Sequence, residues 1–156
     1  MEADRHSKYF MDSSVSRKLV DLIERNAHEL ALSCMRAINQ HACCPTYRAH
    51  DQDELYRRFY NVYSQLGKWI SREKSKQEIA DHYTALGAQR CREGFALSEV
   101  IMALILTRRH IWLKVLSEGF IDSALDLNLA LELNNRVVLF FDRATYFTSV
   151  GFEKEI

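Results

Sequence analysis

The segment LSEVIMALILTRRHIWLKVL runs from Leu97 to Leu116, and its reading decides the fold. From Val100 to Leu106 every residue is apolar; the apolar positions then thin to Ile111, Trp112, Val115 and Leu116. A surface helix keeps one polar side along its length, whereas this one loses it for two turns. A helix apolar all round is a buried helix. The expectation is a central helix with the others packed around it.

The segment that feeds it, GAQRCREGF (Gly87 to Phe95), carries two glycines with separate tasks. Gly87 in mid-helix costs about 1 kcal/mol relative to alanine, and the expected return is close approach of another helix, the central one. Gly94 is expected to close its helix in the left-handed conformation, with Phe95 tucked back beneath it. Apolar steps of three and four mark the remaining helices. Ile23, Ala27, Leu30, Cys34 and Ile38 predict one over residues 16–41, ended by Pro45. Leu55, Phe59, Val62, Leu66, Trp69 and Ile70 predict a second over 51–70, opened by Asp51, Asp53 and Glu54. A third spans 76–93, the central one 97–118, and the last starts near Asp122 or Ser123 and continues to the end. The fold class is therefore all-α, five helices with short connections, in a bundle or a globin-like packing. Residues 1–14 are a polar lead-in and 15–156 a single domain.

A chain of 156 residues buries about two-thirds of its unfolded surface without disulfides or metal. Lys+Arg and Asp+Glu both number 21, so no electrostatic footprint points to nucleic acid or an anionic membrane. Cys34, Cys43, Cys44 and Cys91 offer no CxxC pair, and the longest apolar run is too short for a membrane span. A reduced, cytoplasmic chain is expected, with Cys34 and Cys91 as buried small hydrophobes.

Catalytic chemistry finds little support. A di-iron bundle needs Glu-x-x-His pairs, but Glu24/His28 and Glu78/His82 stand four apart, so no metal is expected. No cysteine or serine is set beside a histidine and an orienting acid, and no glycine-rich phosphate loop is present; the chain does not read as an enzyme. No cofactor is expected, the alternative being haem on His110 or His82, histidines on or beside apolar faces, with Cys44-Pro45 as a haem-responsive dipeptide. Arg90 lies on the face that Gly87 opens, and Arg108 lies on the apolar stripe of the central helix. A buried guanidinium must find an acid or carbonyls. The two readings are an internal clamp with Glu99 and Asp142, and an anion or ligand pocket lined by Arg90, Arg108 and Tyr83.

The last helix bears two adjacent stripes. One is Leu133, Val137, Phe140, Ala144 and Phe147; the other is Leu131, Asn134, Val138, Phe141 and Thr145. Both advance as coiled-coil seams do. One is assigned to the bundle, and Asn134, Val138, Phe141 and Thr145 to a homodimer interface.

The spacing Gly87-x-x-Arg90-x-x-x-Gly94-Phe95, followed by Leu97-Ser98-Glu99, Arg108-Arg109 and Trp112, resembles the N-terminal domain of RsbRD-type proteins, co-antagonists of the RsbT switch kinase. Leu22-Ile23-Glu24, Ala27, Glu29-Leu30, Tyr47, Glu54-Leu55, Asn135-Arg136 and Phe141-Asp142-Arg143-Ala144 extend the likeness over residues 20–146. The resemblance implies a helical, often dimeric input domain of bacterial stress signalling, with no activity of its own, which also precedes some histidine kinases. Related stress-sensor domains have globin-like folds that need not hold haem. Such a domain stands before an output module, a kinase core or a STAS-type (anti-anti-sigma-like) domain. The chain is expected to be an input domain alone, reaching its output in cis within a longer protein or in trans.

Overall fold

The computed structural model describes residues 14–71, 76–119 and 121–156, and among these described residues it has eight helices. They are α1 (Ser14–Arg25), α2 (Ala27–Gln40), α3 (Pro45–Ala49), α4 (Gln52–Ser64), α5 (Leu66–Ile70), α6 (Lys76–Arg92), α7 (Leu97–Ser117) and α8 (Ala124–Glu155). No strand occurs among the described residues, and the fold is all-α. Apart from Ser14, the expected lead-in lies outside the described residues.

The three extra helices have local causes. The first expected helix is two, because Asn26 turns its side chain onto its own backbone, Nδ2 donating to the Leu22 carbonyl at 2.7 Å. Such a bond competes with the helical ladder and divides α1 from α2. Pro45 ends α2's neighbourhood as expected but also opens α3, where its missing N–H is no loss. The second expected helix is interrupted at Gln65. Glu24 of α1 reaches across to accept from the Gly67 N–H at 2.9 Å, serving a donor that the new helix α5 leaves unpaired.

Other ends follow the sequence closely. The Asp51 carboxylate accepts from the N–H groups of Asp53 and Glu54 (3.0 and 3.3 Å). The Ser123 hydroxyl accepts from Asp126 N–H at 3.1 Å. Gly94 adopts φ +88°, with Phe95 N–H bonded to Arg90 O and Gly94 N–H to Cys91 O. That is the paired pattern of a glycine-closed helix, and Phe95 is buried.

The centre of the molecule differs from the expectation. α7 is not enclosed on every side: Val100, Leu106, Thr107, Ile111 and Val115 are buried, while Ile105, Leu113 and Leu116 are exposed. The most intimate contact is instead between α6 and α8, which run parallel. Tyr83 meets Phe140, Gly87 meets Thr148 and Phe152, and Arg92 pairs with Glu155 at 3.2 Å. A Cβ on Gly87 would strike the Thr148 carbonyl, and one on Gly151 would strike that of Thr84. The two glycines thus serve one crossing reciprocally. Gly87 does receive another helix, but it is α8 rather than α7.

Smaller corrections follow from the same packing. Tyr63 is fully buried rather than flanking; its hydroxyl donates to Thr107 O at 2.9 Å and lies 2.7 Å from Cys34 Sγ. Cys34 is buried as expected, whereas Cys91 is half-buried and Cys44 takes the second buried place.

Candidate functional site

Between α4, α6 and α7 lies a half-open cavity of about 550 Å³. Its apolar walls are Leu55, Phe59 and Val62 of α4, Leu86 of α6, and Val100, Ala103 and Leu104 of α7. These are side chains that the three- and four-residue steps aim inward but that meet no residue bulky enough to fill the gap. At one end Trp69, His82 and Tyr83 form an aromatic group, with Trp69 4.9 Å from the His82 ring and 5.6 Å from that of Tyr83. The other end is charged, with Tyr47, Glu54, Arg58 and Arg90.

The charged end is an ion-pair network drawn from α4, α6 and the loops beside them. Arg58 Nη2 donates to Glu54 (2.6 Å) and to both carboxylate oxygens of Glu93 (2.9 and 3.1 Å). Arg90 Nη1 donates to Glu93 at 3.0 Å. His50 Nε2 stands 3.4 Å from Glu93 and 3.5 Å from Glu54, without a hydrogen bond of its own. Arg58 Nη1 is buried and has no hydrogen-bond partner in the protein. The Arg90 side chain is only 7% exposed. Burial, with Arg58 beside it, lowers its pKa despite Glu93. Glu93 goes the other way: burial would raise its pKa, but the hydrogen bond and charge of Arg58, with Arg90, hold it below the usual carboxylate value.

His50, Glu54 and Glu93 present ligand atoms within 4.8 Å of one another. The donor set nevertheless fits a metal ion poorly. Both carboxylates already accept from guanidinium groups, and a divalent cation would sit against two fixed positive charges.

Of the expected site residues, the cavity brings together Tyr83, Arg90 and His82. Arg108 is half-buried and lies outside it, and the clamp with Glu99 and Asp142 is not formed among the described residues. Glu99 is buried but serves another purpose. Its carboxylate accepts from the backbone N–H and hydroxyl of Thr46 (2.8 and 2.7 Å) and from Ala96 N–H at 3.0 Å. It thus caps the start of α7 and ties it to α3. Asp142 is exposed. His110 does not line the cavity; its Nδ1 lies 2.8 Å from Leu106 O, on its own helix. His82 alone of the two histidines reaches the cavity.

Of the residues assigned to a dimer interface, Asn134, Val138 and Thr145 are half-buried. Phe141 belongs to the core, 3% exposed with its ring 5.0 Å from Phe140. Sequence reasoning passed over Arg58, Glu93 and His50. Their available signal was a pair of helical ion pairs, Glu54/Arg58 four apart and Arg90/Glu93 three apart, each beside an apolar stripe.

The helical domain thus holds a cavity apolar along its walls and charged at one end. The family model that matches is the RsbT co-antagonist protein rsbRD N-terminal domain, over residues 28–155. The chain belongs to this family, whose members are regulatory domains of stress signalling. Neither a curated protein nor a solved structure matches. Among the described residues, no helix is long and apolar enough to cross a membrane.

Proposed function

We propose that the chain is a non-catalytic input domain in which two copies associate along α8, and that α8 carries the signal to an output module, a kinase or STAS-type domain, in cis or in trans. The observation that supports this is the exposed start of the α8 seam. Leu127 and Leu131 are 48% and 51% exposed, and Asn134 and Val138 continue the steps of four and three from them. Single exposed leucines are ordinary; leucines in the spacing of a coiled-coil seam, leading to a polar residue, form a surface suited to another helix. Leu113 and Leu116 of α7 add exposed apolar area near the α7–α8 turn. Asn134 would fix the register at some cost in stability.

Sedimentation equilibrium checks this reading. The wild-type protein is expected to dimerise, Leu131→Asp to dissociate it, and Asn134→Leu to tighten it by about tenfold while loosening register. A wild-type monomer, or a dissociation constant unmoved by both substitutions, would overturn it.

The cavity favours a second reading, an input domain that senses a small molecule. Its volume lies within the range of about 300–1,000 Å³ typical of ligand sites. Haem is the particular case in which His82 would be the axial ligand, and an absorbance spectrum of protein made with ample iron decides it by the presence or absence of a Soret band.

A further inference from the structure

The two ends of the cavity differ in chemistry, and their separation is set by one helix. Tyr83 and Arg90 both line it from α6, seven residues apart. At about 1.5 Å per residue this puts some 10 Å between the aromatic and the charged end. At the charged end Arg58 Nη1 lacks a partner although its Nη2 makes three bonds. A buried guanidinium donor left unmatched is costly, and a carboxylate is its geometric complement. Two arginines already face two carboxylates, Glu54 and Glu93, so a dianion such as phosphate would meet strong repulsion. A monoanion adds only one charge to a network in which each carboxylate already has a guanidinium partner. At the other end Trp69, His82 and Tyr83 offer ring edges and faces suited to an aromatic ligand.

We infer that the cavity binds an aryl-substituted monocarboxylate about 10 Å long, its carboxylate on Arg58 and Arg90 and its ring among Trp69, His82 and Tyr83. This rests on the ligand-sensing reading. The lowered proton affinity of Arg90 agrees with it, since the entering anion would restore what burial and Arg58 take away.

The test uses the whole chain and three probes: 4-phenylbutyrate, 4-phenylbutanol and inorganic phosphate. Binding is read by isothermal titration and by the rise in melting temperature. The acid is expected to bind at least about tenfold more tightly than the alcohol, because the alcohol cannot supply charge-assisted hydrogen bonds. Phosphate is expected not to bind. Arg58→Lys keeps the charge but loses the fork, and should cost the acid about tenfold while leaving the alcohol unchanged. Ala103→Phe, which fills the cavity from the α7 wall, should abolish both. Equal affinity for acid and alcohol, or phosphate competing with the acid, would overturn the inference and leave ligand sensing standing. A wild-type protein that takes up neither organic probe would overturn both.

Discussion

Single side chains here are placed by partners remote in sequence. Tyr63 bonds the α7 carbonyl of Thr107 and lies against Cys34 of α2, tying three helices at one hydroxyl. Tyr63→Phe keeps the ring but loses the bond to the Thr107 carbonyl and the contact with the thiol, and should destabilise by about 1 kcal/mol, read from urea midpoints. The same burial raises the Cys34 thiol pKa to about 12 against the pull of the Tyr63 hydrogen bond. Cys34 should therefore be inert to a thiol reagent in the native state, while exposed Cys43 reacts at once, as peptide mapping after brief alkylation would show. Glu99 shows where residue-level reading stops. A glutamate flanked by apolar residues evidently needed partners, but nothing in the sequence pointed to Thr46, 53 residues away. Arginine was the obvious guess; a short helix supplied the donors instead.

At the scale of elements, periodicity located helices well and their ends better. The caps at Asp51, Ser123 and Gly94 were legible because each depends on a few adjacent residues. The breaks at Asn26 and Gln65 were not. One follows from a side chain choosing its own backbone, the other accompanies a cap donated from α1. The continuous apolar run of α7 misled for a different reason: hydrophobicity reports what can be buried, and Ile105, Leu113 and Leu116 lie exposed beyond the core. Gly151 attracted no attention in sequence although it mirrors Gly87. Because backbone carbonyls rather than side-chain tips oppose each missing Cβ, Gly87→Ala and Gly151→Ala should each destabilise by about 3 kcal/mol or more. The double variant should cost less than the sum, since the first already forces the helices apart.

For the molecule as a whole, the carboxylates predict how stability depends on pH. Hydrogen bonds and charges outweigh burial at both Glu93 and Glu99, so their folded pKa values lie below the ordinary 4.5. The stability they contribute is complete above 4.5 and is lost as pH falls through the lower folded values. Denaturation midpoints should fall as the solution is acidified from about pH 6 to about pH 3, and Glu99→Gln should flatten that fall. The candidate site belongs to this scale too, which is why only part of it could be read. Arg90, Tyr83 and His82 sit on one helix and could be grouped by spacing. Glu93 is within local reach of Arg90, but Arg58, His50 and Trp69 join them only once α4, α5 and α6 have packed, and the helical pair spacings do not record that assembly.

The bare crossing of Gly87 and Gly151 has a mechanical consequence. Where two helices meet through side chains, each can slide or roll as rotamers readjust. Where they meet backbone to backbone there is no cushion, and the pair behaves as a single yoke. α6 is one wall of the cavity, holding Tyr83, Leu86 and Arg90, and α8 bears the exposed leucine seam. On the proposed ligand-sensing reading, a push on that wall from a bound molecule would pass to α8 directly through the backbone contact at Gly87 and Gly151.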